Sequence, residues 1–124
     1  FGYLANFDSA EIAKIDIEKD SVILKIKNIP SPRGITVTPD NKYVLVTNVV
    51  DHTLTIIDIS TDTVIKTLYG LRMPTWVLTT KDGKYAIVSN QGAASLAIID
   101  LVTLEITKSV PTAENPISLF MDNR

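Results

Sequence analysis

Short apolar runs separated by clusters of turn-forming polar residues fill this chain, and its middle shows the unit most clearly. Tyr43-Val44-Leu45-Val46-Thr47-Asn48 is β-branched and aromatic and mostly apolar on both faces, the pattern of a strand buried within a sheet. A polar link, Val49 to Thr53, leads to a second predicted strand, Leu54-Thr55-Ile56-Ile57-Asp58-Ile59. Ser60-Thr61-Asp62 is a turn, because these side chains bond their own backbone. Thr63 to Leu68 alternates and predicts a half-exposed strand. After a crossing from Tyr69 to Met73, Pro74 to Thr80 forms the fourth strand, with proline at its start, where a missing N–H does least harm. Lys81-Asp82-Gly83-Lys84 then closes a hairpin into Tyr85; Asp-Gly is a strong hairpin signal. Helical periodicity is sustained nowhere over a window of about 11 residues.

The whole pattern recurs every 42 residues without insertion or deletion, as Asn6, Asn48 and Asn90 show. Asp16, Asp58 and Asp100 share a phase, as do Pro32, Pro74 and Pro116, and Phe1, Tyr43 and Tyr85. The apolar positions follow: Ile12, Leu54 and Leu96; Ile35, Val77 and Leu119. A period of about 40–45 residues with four short strands per unit is the signature of a β-propeller blade. The expected fold is therefore all-β, about three blades of four antiparallel strands in one domain. The repeats run 1–42, 43–84 and 85–124, with blades expected near Tyr43–Asp82 and Tyr85–Asp122.

Lys42-Tyr43-Val44-Leu45-Val46-Thr47-Asn48, followed by Ile56-Ile57-Asp58 and a Pro-initiated strand ending in Asp-Gly, resembles the YVTN family of β-propeller repeats. Lys84-Tyr85-Ala86-Ile87-Val88-Ser89-Asn90 with Ile98-Ile99-Asp100 repeats the phrase, and Phe1 to Asn6 with Lys14-Ile15-Asp16 is a looser copy. The resemblance covers the whole chain. It implies an extracytoplasmic or cell-surface protein, since members include surface-layer and cell-surface proteins and extracytoplasmic binding proteins. Relatives of lactonases and of haem- or quinone-linked oxidoreductase propellers also belong. It further implies that the Pro-initiated strand lies innermost at the central channel. The "Tyr-Val" strand comes next, then the "Ile-Asp" strand, with the alternating strand outermost. On that order the chain holds two complete blades, three strands of another, and one unpaired innermost strand at 116–122. Closed propellers have about four to eight blades, so three cannot close. The expected partner is a second copy, making a six-bladed homodimer, or further blades of a longer chain. Phe1 stands where an initiator Met would, and no signal-peptide pattern follows, which reads as a mature product or an excised piece.

Composition narrows the chemistry. A net charge of −2 gives no electrostatic footprint for nucleic acid, and no run of five like charges occurs. No apolar stretch approaches the roughly 18 residues of a membrane span. The chain has no cysteine, which removes disulfides, thiolate metal sites, Cys nucleophiles and c-type haem attachment. A Gly-rich phosphate loop, a GxSxG elbow and zincin spacing are all absent.

Asp16, Asp58 and Asp100 could form a ring of carboxylates for a cation, or each could accept N–H bonds from the turn that follows; repetition in every unit favours the turn. Asn6, Asn48 and Asn90 end their strands, and a turn staple is preferred there to a ligand contact, since Asn bonds locally and tolerates a left-handed backbone. His52, the single histidine, has Asp51 beside it but too few partners for a metal. It reads as an exposed loop residue. The positions that break the repeat are better candidates. Trp76 shares a phase with Gly34 and Ser118, Arg33 with Thr75 and Ile117; Arg72 and Glu114 lie in the crossings before Pro74 and Pro116. A tryptophan beside arginines can hold an anion or a sugar, although such a Trp also fills gaps between blades. The expectation is a non-catalytic scaffold or binding module without cofactor, metal or catalytic residues. The alternative is a propeller enzyme, lactonase-like or redox, with its site at the channel.

Overall fold

A computed structural model describes residues 1–122 as three antiparallel sheets. The first contains β1 (Gly2–Asn6), β2 (Glu11–Asp16) and β3 (Ser21–Lys27), in that order. The second runs β4 (Pro32–Val37), β5 (Tyr43–Asn48), β6 (Thr53–Asp58) and β7 (Thr63–Leu68). The third runs β8 (Pro74–Thr79), β9 (Tyr85–Asn90), β10 (Ser95–Asp100) and β11 (Glu105–Pro111), with a short 3-10 turn at Gln91–Ala93. These are blades in the propeller sense, and their backbone is as periodic as the sequence. Bulges fall at Lys14/Ile15, Ile56/Ile57 and Ile98/Ile99. Left-handed residues recur as Ala10, His52 and Ala94; as Asp20, Asp62 and Leu104; and as Ser31, Met73 and Asn115.

Two expectations need correction. The sheets are one strand out of step with the sequence repeat: a blade runs Pro32–Leu68 or Pro74–Pro111, not Tyr43–Asp82 or Tyr85–Asp122. The turn chemistry explains the offset. Thr38 Oγ1 donates to Asp40 Oδ1 at 2.7 Å, Asp40 accepts from Lys42 N–H, and Thr38 Oγ1 accepts from Tyr43 N–H. Thr80, Asp82, Lys84 and Tyr85 repeat the arrangement. Each hairpin thus joins the Pro-initiated strand to the strand after it, and the crossing at 69–73 passes between blades. Second, 116–122 forms no strand. Among the described residues no strand pairs with it in a ladder; a bond from Thr75 Oγ1 to the Ile117 carbonyl, 2.6 Å, ties it alongside β8. Residues 123 and 124, the end of the third repeat, lie outside the described residues.

The core sits between the sheets. Ile12, Ile26, Ile29, Val44, Val46 and Ile57 join the first sheet to the second. Leu45, Leu54, Ile56, Leu68, Val77, Val88 and Ile99 are among those joining the second to the third. At the inner edge β4 lies close against β8. A Cβ on Gly34 would stand 2.8 Å from the Thr75 carbonyl oxygen and 2.9 Å from Trp76 Cα, so this approach requires glycine.

Candidate functional site

The inner strands fix where the repeat-breaking residues point. β4 and β8 each leave the ladder briefly, between Pro32 and Ile35 and between Pro74 and Trp76. Arg33 is exposed, while its repeat equivalent Thr75 is 1% exposed, bonded to Ile117. Gly34 is buried, while its equivalent Trp76 is 42% exposed. Arg72 and Glu114 are also exposed. No ion pair or cation–π contact joins Trp76, Arg72, Arg33 and Glu114 among the described residues. Arg72 works through its backbone. Its N–H donates to Asn90 Oδ1 at 2.6 Å, and its carbonyl accepts from Gly92 N–H at 2.8 Å.

The repeated carboxylates are held in turns. Asp16 Oδ1 accepts from Glu18 and Lys19 N–H, Asp100 Oδ1 from Val102 and Thr103 N–H. Asp58 Oδ1 accepts from the Ser60 hydroxyl at 2.5 Å and from Ser60 N–H at 2.7 Å, which lowers its pKa below the usual carboxylate value. The Thr38 hydroxyl and Lys42 N–H do the same for Asp40, and the Thr80 hydroxyl and Lys84 N–H for Asp82. Among the described residues no group of three or more His, Asp or Glu side chains could hold a metal ion.

The asparagines bond locally across their hairpins, though not through a left-handed backbone. Each side chain reaches across to the next strand. Asn6 Nδ2 donates to Glu11 Oε1, Asn90 Nδ2 to Ser95 Oγ, and Asn48 Nδ2 to Thr53 Oγ1 and Thr55 Oγ1 at 3.0 and 2.7 Å. The left-handed position belongs to His52, φ 60°, which is exposed and whose Nδ1 accepts from Met73 N–H at 2.9 Å. Sequence reasoning missed one site feature. Asn48 is fully buried and its Oδ1 has no partner, whereas Asn90 Oδ1 takes the Arg72 N–H. The signal was legible: the repeat equivalent of Arg72 is Pro30, which has no N–H.

No family model matches the sequence, and no curated protein matches it. Solved structures do match in fold. Hydrazine synthase of Kuenenia stuttgartiensis superposes with a TM-score of 0.86 at 23% identity, over 91% of this chain and 33% of that one. Dihydro-heme d1 dehydrogenase NirN in complex with DHE gives 0.77 at 17%, over 90% and 24%. A functionally unknown protein from Desulfotomaculum acetoxidans DSM 771 gives 0.75 at 20%, over 86% and 36%. The chain therefore spans between 24% and 36% of the length of these structures. At such identities the likeness is one of architecture, and the chain has an all-β, β-propeller fold.

Proposed function

We propose that the chain is a non-catalytic β-propeller module of the YVTN type, a scaffold and binding surface in an extracytoplasmic or cell-surface protein. One observation carries the reading: the polar side chains that recur with the repeat are engaged in turns and strand cross-links. Asp16, Asp58 and Asp100 cap turns, while Asn48 and Asn90 tie adjacent strands together. The location and the family rest on the phrases around Tyr43 and Tyr85. The partner is further blades, taken here as those of a second copy. Leu101 packs in the cluster that Tyr43 joins, at the junction of the second and third sheets. Ile17 shares the phase of Leu101 and is 65% exposed; Tyr85 shares the phase of Tyr43 and is 43% exposed. A second chain's first sheet would bring Ile17 to Tyr85 and close a ring of six blades.

Sedimentation at micromolar concentration tests this. A dimer that Ile17→Asp dissociates supports it; a stably folded monomer, or a dimer indifferent to Ile17→Asp, defeats it. Deleting residues 115–124 should likewise abolish assembly and expose apolar surface. The enzyme alternative predicts stoichiometric Ca or Zn in elemental analysis of the purified protein.

A further inference from the structure

Between the crossing at 28–30, which follows the first sheet, and the second sheet lies a cavity of about 290 Å³. Its wall includes Asn48, Thr53, Thr55 and Thr67 from the second sheet, with Asp51 and Tyr69 from its loops. Asn48 is fully buried, yet one end of its amide is unpartnered. This holds whichever way the amide is turned. With Nδ2 on the two threonine hydroxyls, Oδ1 lacks a donor; reversed, Oδ1 takes the hydroxyls and Nδ2 lacks an acceptor. The third sheet shows how a repeat normally resolves this: Arg72 N–H fills the role at Asn90. At the first junction Pro30, also in the cavity wall, stands at that position and has no N–H to give.

The space exceeds what one water would need, since a water occupies about 30 Å³ of liquid, and it approaches the lower end of ligand pockets at about 300 Å³. Its chemistry is selective. No lysine or arginine lines it, so nothing there recruits an anion. One exposed carboxylate is too little for a metal ion, but it suits a pair of ligand hydroxyls. Three threonine hydroxyls and an unpartnered amide end call for groups that both donate and accept. Tyr69, 74% exposed, offers a ring face beside them. We propose that this cavity binds a small neutral polyhydroxylated ligand, a monosaccharide or cyclitol, held by Asn48, the threonine hydroxyls and Asp51 and covered by Tyr69. The site is separate from Trp76 and does not depend on how the blades assemble.

Saturation-transfer NMR on the 124-residue chain with glucose, galactose, mannose and myo-inositol tests it. At least one should bind saturably. Tyr69→Ala and Asp51→Asn alter exposed residues, and each should weaken binding at least fivefold with an unchanged melting temperature. Pro30→Ala, which restores a backbone N–H beside Asn48, should weaken it as well, while Trp76→Ala should have no effect. The proposal is overturned if none of the four binds. It fails equally if binding ignores both Tyr69→Ala and Asp51→Asn, if calcium chloride alone saturates an Asp51-dependent site, or if a crystal grown with the best ligand holds only water there.

Discussion

The two junctions between sheets occupy the same repeat positions and are built from different chemistry. At the second junction Ile56 lies in an apolar cluster against which Leu104 packs. At the first, the same two phases are Lys14 and Asp62, joined at 3.1 Å with side chains only 11% and 25% exposed. The Lys14 ammonium also lies 4.9 Å from the centre of the Phe1 ring. Thr55 at the first junction is Ala97 at the second, and Pro30 is Arg72. The backbone and the left-handed turns are the same on both sides. The fold therefore needs only complementary volume at these phases, and the first junction is where polar function has room to be written.

The largest effect should come from the inner edge. Gly34→Ala would drive a methyl into two backbone atoms, Thr75 O and Trp76 Cα, which cannot rotate away. A loss of about 2–3 kcal/mol in denaturant unfolding is expected, the upper part of the range for overpacking. Gly2→Ala is the control. Its nearest neighbour, Ile17 Cδ1, stands at an ordinary 3.6 Å, so stability should scarcely change.

Next is the ion pair. Lys14→Ala strands the Asp62 carboxylate and should cost about 1–3 kcal/mol. Converting the first junction to the second, with Lys14→Ile and Asp62→Leu together, should be neutral or stabilising, as replacing buried ion pairs often is. The pair also has a pH signature. Burial works most strongly against the Lys14 charge, but hydrogen bonds and charge interactions with Asp62 and Tyr3 together outweigh it and raise the pKa above its ordinary 10.5. A raised folded pKa gives stability that is fully present below 10.5 and is lost as pH rises through the folded value. Unfolding midpoints should fall there in the natural chain, and the double variant should lack that component.

Asp40, Asp58 and Asp82 act at the opposite end of the scale. Their folded pKa values are lowered, so the stability they contribute is present above 3.8 and is lost as pH falls through the folded values. Asp58→Ala and Asp100→Ala should each lower the melting temperature modestly while leaving any ligand binding intact. A variant with an unchanged melt but lost binding would give that carboxylate a functional role. These turns serve all sheets alike, so neither variant should distinguish one junction from the other.

Most of the architecture could be read from the sequence because a gapless repeat imposes it: the strands at Tyr43–Asn48 and Thr63–Leu68 and the Asp-Gly hairpin all form where the pattern puts them. The period alone has no natural starting point, so the blade limits at Tyr43–Asp82 and Tyr85–Asp122 fell one strand out, while the hairpin into Tyr85 and the strand order that the family resemblance implies are those of the sheets. The segment at 116–122 shows a second limit, because strand propensity yields no strand where no ladder is present. Among site residues, Trp76 and Arg33 stood out by breaking the repeat; both are exposed on the inner strands, yet no cation–π contact joins them among the described residues. The Asn48 cavity depends on a donor that Pro30 lacks, a signal carried by a backbone atom rather than by a conspicuous side chain.

The smallest effect should fall on His52, and it tests whether the shared backbone of the repeats is independent of the side chains they carry. Ala10, His52 and Ala94 all take the left-handed turn, at φ 52°, 60° and 47°. Two of the three do so as alanine, so the turn does not need histidine. What His52 adds is an acceptor for Met73 N–H across the second junction, at an exposed site where water can replace it. His52→Ala should therefore cost about 0.5–1 kcal/mol, the lower part of the range for one hydrogen bond. His52→Asn keeps a side-chain acceptor and a residue tolerant of this conformation, and should recover part of that loss. Equal and large losses for both variants, measured by thermal unfolding, would mean that the imidazole holds the crossing at 69–73 in place, and that the second junction is less purely apolar than its buried residues indicate.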